Sequence, residues 1–169
     1  MPASRRAEPL DLGARLLSAW RRNNEILVLL LEHVPPGGLA AVPAGSRGRT
    51  VAAQFFHLNR TRLAWLEYFE TGRQPKPEKF DPAHPPTKAQ LRSMLRASGR
   101  DVEKFLARAF AGEVKVRLFS GDPVRWFSYL VAHDSQHRGQ ILLALKQSGK
   151  RLPEAVSIQG LWGRWIYGA

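Results

Sequence analysis

Four long stretches of this chain place apolar residues at three- and four-residue intervals, and each ends at glycine or proline. That period belongs to one face of an α-helix, and those residues are its stop signals. Between Asp11 and His33 the stripe is Leu12, Leu16, Trp20, Leu27, Leu31 and Val34, with Pro35-Pro36-Gly37-Gly38 behind it. Between Thr50 and Glu70 it is Val51, Phe55, Leu58, Trp65 and Phe69; Thr50 is the expected N-cap and Gly72 the stop. Thr87-Lys88-Ala89-Gln90 reads as a capping box, in which the Thr hydroxyl and the Gln amide satisfy each other's orphan backbone N–H groups. Leu91, Leu95, Ser98, Val102, Phe105 and Ala109 follow on one face, and Gly112 closes the helix. Asp122-Pro123 opens the fourth helix, expected to reach Ser148, with Gly149 at its end and Pro153 forbidding continuation.

Four amphipathic helices joined by loops predict an all-α four-helix bundle. With no internal repeat and no long linker, residues 1–169 are expected to form one domain. Gln74 to Pro86 carries five prolines and excludes regular helix or central strand. Val114 to Phe119 alternates apolar and basic residues, which allows one short strand or hairpin. Ala155 to Tyr167, with Leu161, Trp162, Trp165 and Ile166, is expected as a short helix or strap against the bundle.

Composition narrows the chemistry. Apolar residues make up 44% of the chain, enough for a packed core. The longest strong apolar run, Ile26 to Leu31, falls far short of the roughly 18 residues that span a bilayer. No apolar segment follows the first basic residues as in a secretory signal, so a cytoplasmic location is expected and no membrane. There is no cysteine, which excludes disulfides, thiolate ligands and cysteine nucleophiles; a metal site must use His, Asp, Glu or water. The formal net charge of +12 raises a polyanionic partner as one reading and a basic compositional bias as another.

The fourth helix carries the informative constellation. Trp126, Leu130, His133, His137, Ile141 and Ala144 share one stripe, so two histidines four residues apart stand one above the other on the inward face. Such a pair can hold a divalent metal, and a pair of hydrogen-bonded core histidines gives the same pattern. His57, beside Thr61, Ala64 and Tyr68 in the second helix, is the other mid-helix histidine. His33 at a helix end and His84 among prolines read as surface residues. Gln54, Gln140, Asp134 and Tyr129 are candidates to orient a ligand or substrate, and Gly139 is expected to allow close helix packing.

The run His133-Asp134-Ser135-Gln136-His137-Arg138-Gly139-Gln140-Ile141 resembles the H-x-x-x-H-R-G-Q-I signature of the DinB/YfiT-like superfamily. Gln54-Phe55-Phe56-His57-Leu58, with Arg62 and Trp65 after it, resembles the second-helix segment that supplies a further ligand there. The resemblance spans the chain from the first helix through Pro153. It implies an antiparallel four-helix bundle with an unusual connection order and one divalent metal ion between helices two and four, on His57, His133 and His137. It also implies a metal-dependent enzyme, a transferase or isomerase using a low-molecular-weight thiol or a hydrolase, acting on a small molecule. It carries no substrate and no catalytic residue with it, and it implies a homodimer. Three imidazoles leave coordination positions open, as in catalytic sites; they suit zinc first, then nickel, iron or copper, and with added water manganese. Proton competition is expected as pH falls through about 6.5.

The competing reading is a nucleic-acid or polyanion binder with a structural metal. Its carrier is Lys88, Arg92, Arg96, Arg100, Lys104 and Arg108, which recur every four residues along the third helix. A solvated face explains the same row, and no zinc-finger spacing, RNP-like motif or phosphate loop accompanies it. For the dimer, Trp162 and Trp165 with Ile26 and Leu30 are the candidate contact, against packing of the same tryptophans within one chain.

Overall fold

The computed structural model describes residues 10–45, 48–76 and 78–168. Its main helices are α1 (Leu12–Glu32), α2 (Val51–Thr71), α3 (Lys88–Phe110) and α4 (Pro123–Gln147). A π-helical segment, Val156–Gly163, runs into a single turn, α5 (Arg164–Tyr167). The described residues contain no strand.

Each of the four main helices starts where a side chain can take its orphan N–H groups. Asp11 accepts from Ala14 N, Thr50 from Ala53 N, and Asp122 from Val124 N, with Pro123 at the first helical position. Thr87 and Gln90 form the complete capping box. At the other end of α1, the Lys88 ammonium donates to the carbonyls of Glu32 and Val34, so one member of the basic row caps a helix.

Residue pairings fix the helix directions. Trp20 and Arg21 of α1 meet Gly99 and Glu103 of α3, while Glu32 meets Arg96 nearer the start of α3, so these helices are antiparallel. Gln54 meets His137 and Phe69 meets Trp126, which makes α2 and α4 antiparallel as well. Arg62 reaches Leu95 and Phe69 packs on Phe105, so α2 and α3 run the same way. The bundle is up-down-down-up, with the consecutive helices α1 and α2 on opposite corners. The proline-rich connection after α2 therefore has to return the length of the bundle before α3 begins, which accounts for its length.

Two apolar clusters fill the bundle. One holds Ile26, Leu30, Leu31, Phe55, Leu58, Leu91, Leu95, Ile141 and Leu145; the other is aromatic, around Trp20, Phe69, Phe105 and Trp126. Between them lies a buried polar layer. The Arg62 guanidinium donates to Asp134 Oδ2 at 2.7 Å and to Asn24 Oδ1 at 2.7 Å, and Asn23 Nδ2 donates to the same Asp134 oxygen. Both members of the ion pair are 1% exposed. Gly99 is what lets α1 approach α3 here: a Cβ at that position would stand 2.4 Å from Asn24 Nδ2.

Several expectations are corrected. Val114 to Phe119 forms bends leading into a 3-10 turn, Phe119–Gly121. Among the described residues no partner strand is available; Val116 plugs the aromatic cluster and Arg117 Nε donates to the Phe69 carbonyl at the end of α2. Gly139 borders open space rather than a close helix contact. Leu12 is exposed rather than part of the buried stripe. Ile26 and Leu30 are buried within the chain, so neither is free for a contact with a second copy, whereas Trp162 is exposed.

Candidate metal centre

His57 comes from α2 and His133 and His137 from α4, across the seam where these antiparallel helices pack. The ring centroids stand 5.2, 4.8 and 4.6 Å apart, and one ligand atom from each residue lies within 4.8 Å of the others. All three sequence-derived candidates thus converge on one point. A tetrahedral ion at about 2.0–2.1 Å from each nitrogen holds its ligands roughly 3.4 Å apart, so the rings need only lean inward by about an ångström. His33 and His84 take no part: His33 Nδ1 donates to the Leu29 carbonyl, and the exposed His84 pairs with Asp81.

The donor set has the chemistry a metal requires. Burial is the main cause holding all three imidazoles below their ordinary value of 6.5, His57 at about 3 and His137 at about 4. Arg49 adds its positive charge to the effect at each histidine. The rings are therefore neutral near pH 7 and keep a lone pair. With Gln54 Oε1 accepting at Nδ1 of His137, the proton sits on Nδ1 and Nε2 keeps the lone pair. The Arg60 guanidinium lies 3.5 Å from His57 Nδ1. A guanidinium only donates, so metal binding through His57 Nε2 requires that Arg60 release this nitrogen to carry the proton.

Of the other candidates, Tyr129 stacks on His133 at 5.6 Å and 25°. Asp134 is turned into the polar layer, away from any ligand role, and there it fixes α4 against α1 and α2. Gln140, three residues along α4 from His137, works against the downward shift.

Two cavities open beside the cluster. One, of about 320 Å³, is lined by His57 with Arg49, Arg60, Phe56 and Phe80; the other, of about 250 Å³, by Arg60, Thr61, Trp65, Tyr68, Leu118 and Tyr129 among others. The sequence reading missed Arg49 and Arg60. Arg60 lies three residues from His57, a spacing that puts it on the same side of the helix and could have flagged it.

The family model of the DinB superfamily matches residues 19–141. The chain belongs to the DinB superfamily. The matched span holds the three histidines, Gln54 and the polar layer of Asn23, Arg62 and Asp134. No curated protein matches the chain. Among the described residues no helix is long and apolar enough to cross a membrane.

Proposed function

We propose that this DinB-superfamily chain binds one divalent metal ion, zinc first, through His57, His133 and His137, and works as a metal-dependent enzyme on a small molecule. A thiol-dependent transferase or isomerase, or a hydrolase, is the reaction class. The observation that carries the reading is the convergence of three neutral imidazoles from two helices, with His57 lining one cavity and a second cavity beside it across Arg60. A structural site is closed by four protein ligands, whereas three leave room for a substrate atom.

The bound ion supplies Lewis acidity and lowers the pKa of a coordinated water or thiol. The chain's own residues do the rest. Gln54 holds the tautomer of His137, Tyr129 backs the His133 ring, and the buried Arg62–Asp134 pair sets the register of α2 against α4. Having no cysteine, the chain takes any thiol from solution.

Cobalt(II)-loaded protein titrated with N-acetylcysteine tests the open position. A saturable thiolate-to-metal absorption band is expected; a spectrum unmoved at millimolar thiol would remove the thiol-dependent classes and leave hydrolysis.

A further inference from the structure

We infer that the surface on either side of Arg60 is the subsite for an organic anion, its charged group held by Arg60 and Arg49 and its apolar body by Trp65, Tyr68 and Tyr129. The inference deepens the reading of the three-histidine cluster as a substrate-facing site and rests on it.

Arg60 lines both cavities, so it separates an aromatic compartment from the one that contains His57 and Arg49. Six arginines, among them Arg21, Arg62 and Arg96, have a carboxylate within ion-pair distance; Arg49 and Arg60 have none among the described residues. Among the described residues no Asp or Glu lines either cavity. Asp81, between the lining residues Phe80 and Pro82, is engaged by His84 and the Ala83 N–H. Asp134 is committed to Arg62 and Asn23. The charge of Arg49 and Arg60 is therefore left for a ligand, and a divalent ion on the histidines would add to it.

The second compartment argues for an organic anion over a bare inorganic one. Trp65 makes edge contacts with Tyr68, Phe119 and Tyr129, and Tyr129 stacks on His133, so an apolar wall runs from the cavity to the cluster. Phe119 and Ser120 both hold positive φ, 57° and 58°, which costs non-glycine residues energy and seats Phe119 against that wall. Guanidinium donors beside an aromatic slot suit a carboxylate on an aromatic or aliphatic body.

Fluorine NMR titration of the zinc-loaded full chain with 4-fluorophenylacetate and its neutral amide tests this without a variant. The acid should bind at least about tenfold tighter than the amide, the worth of a charge-assisted hydrogen bond. Arg60→Gln, compared with wild type at equal zinc content, should erase that preference. Equal affinity for acid and amide, or a preference that survives Arg60→Gln, overturns the inference. Inorganic phosphate competing as strongly as the acid overturns its apolar half. Elemental analysis of the same samples separates the two readings. If zinc is absent, the metal assignment falls while the acid-over-amide preference is still read on the metal-free chain. If zinc is retained without preference, the anion subsite alone falls.

Discussion

Gln54 decides which nitrogen of His137 faces the cluster, because an amide oxygen on Nδ1 leaves only Nε2 with a lone pair. Gln54→Leu removes that acceptor and should weaken metal binding roughly 10–100-fold by calorimetry, with helicity by circular dichroism unchanged. The same residue scale sets the pH dependence. His57 and His137 in the folded chain fall to about 3 and about 4, while unfolded histidine stays near 6.5. Above 6.5 neither state takes a proton and the histidines contribute nothing. Below it the unfolded chain binds more protons, so the metal-free protein should lose stability from pH 6.5 down toward 4. Urea midpoints of wild type and His57→Ala across that range check it: the variant should lose less, and identical slopes would contradict it. Proton competition for a bound metal is likewise displaced below the pH of 6.5 that the sequence alone suggests, because burial has already disfavoured the imidazolium. The grouping of the three histidines was legible from mid-helix placement, spacing and the signature run. The cavity arginines were not, since Arg49 reaches the site only because its loop folds beside the start of α2.

At the scale of the helix, local signals were read well and contacts between elements were not. Asp11, Thr50, Thr87 and Asp122 cap as their side chains dictate, and the boundaries fall within a residue or two of expectation. The polar layer draws Asn23 and Asn24 from α1, Arg62 from α2 and Asp134 from α4. Nothing in any one helix announces such a partnership. Asp134→Leu leaves a buried guanidinium without its counter-charge and should cost about 3–5 kcal/mol in chemical denaturation. The two helix glycines should behave oppositely. Gly99→Ala pushes Asn24 off Arg62 and should destabilise by about 1–3 kcal/mol. Gly139→Ala meets open space and should be neutral or stabilising by up to about 1 kcal/mol. Thermal melts of the pair that moved in the same direction would contradict this account of the α1–α3 contact.

For the molecule as a whole, the two apolar clusters pack without help from the histidines. The metal-free chain should therefore stay folded, and metal should add stability by mass action, about 2.7 kcal/mol at a hundredfold excess over Kd. The class of fold was legible because four periodic stretches leave few alternatives. The helix order was not legible from periodicity, which is blind to how far the Gln74 to Pro86 segment must travel. Part of the basic row on α3 serves the fold: Lys88 caps α1, Arg96 pairs with Glu32 and Arg108 with Glu113. The central claim is that His57, His133 and His137 hold one ion, and metal content with calorimetry on single variants tests it most directly. Wild type, His33→Ala and His84→Ala should each bind about one zinc per chain, while His57→Ala and His137→Ala should lose at least about tenfold in affinity. Full zinc occupancy that survives His137→Ala would contradict the assignment.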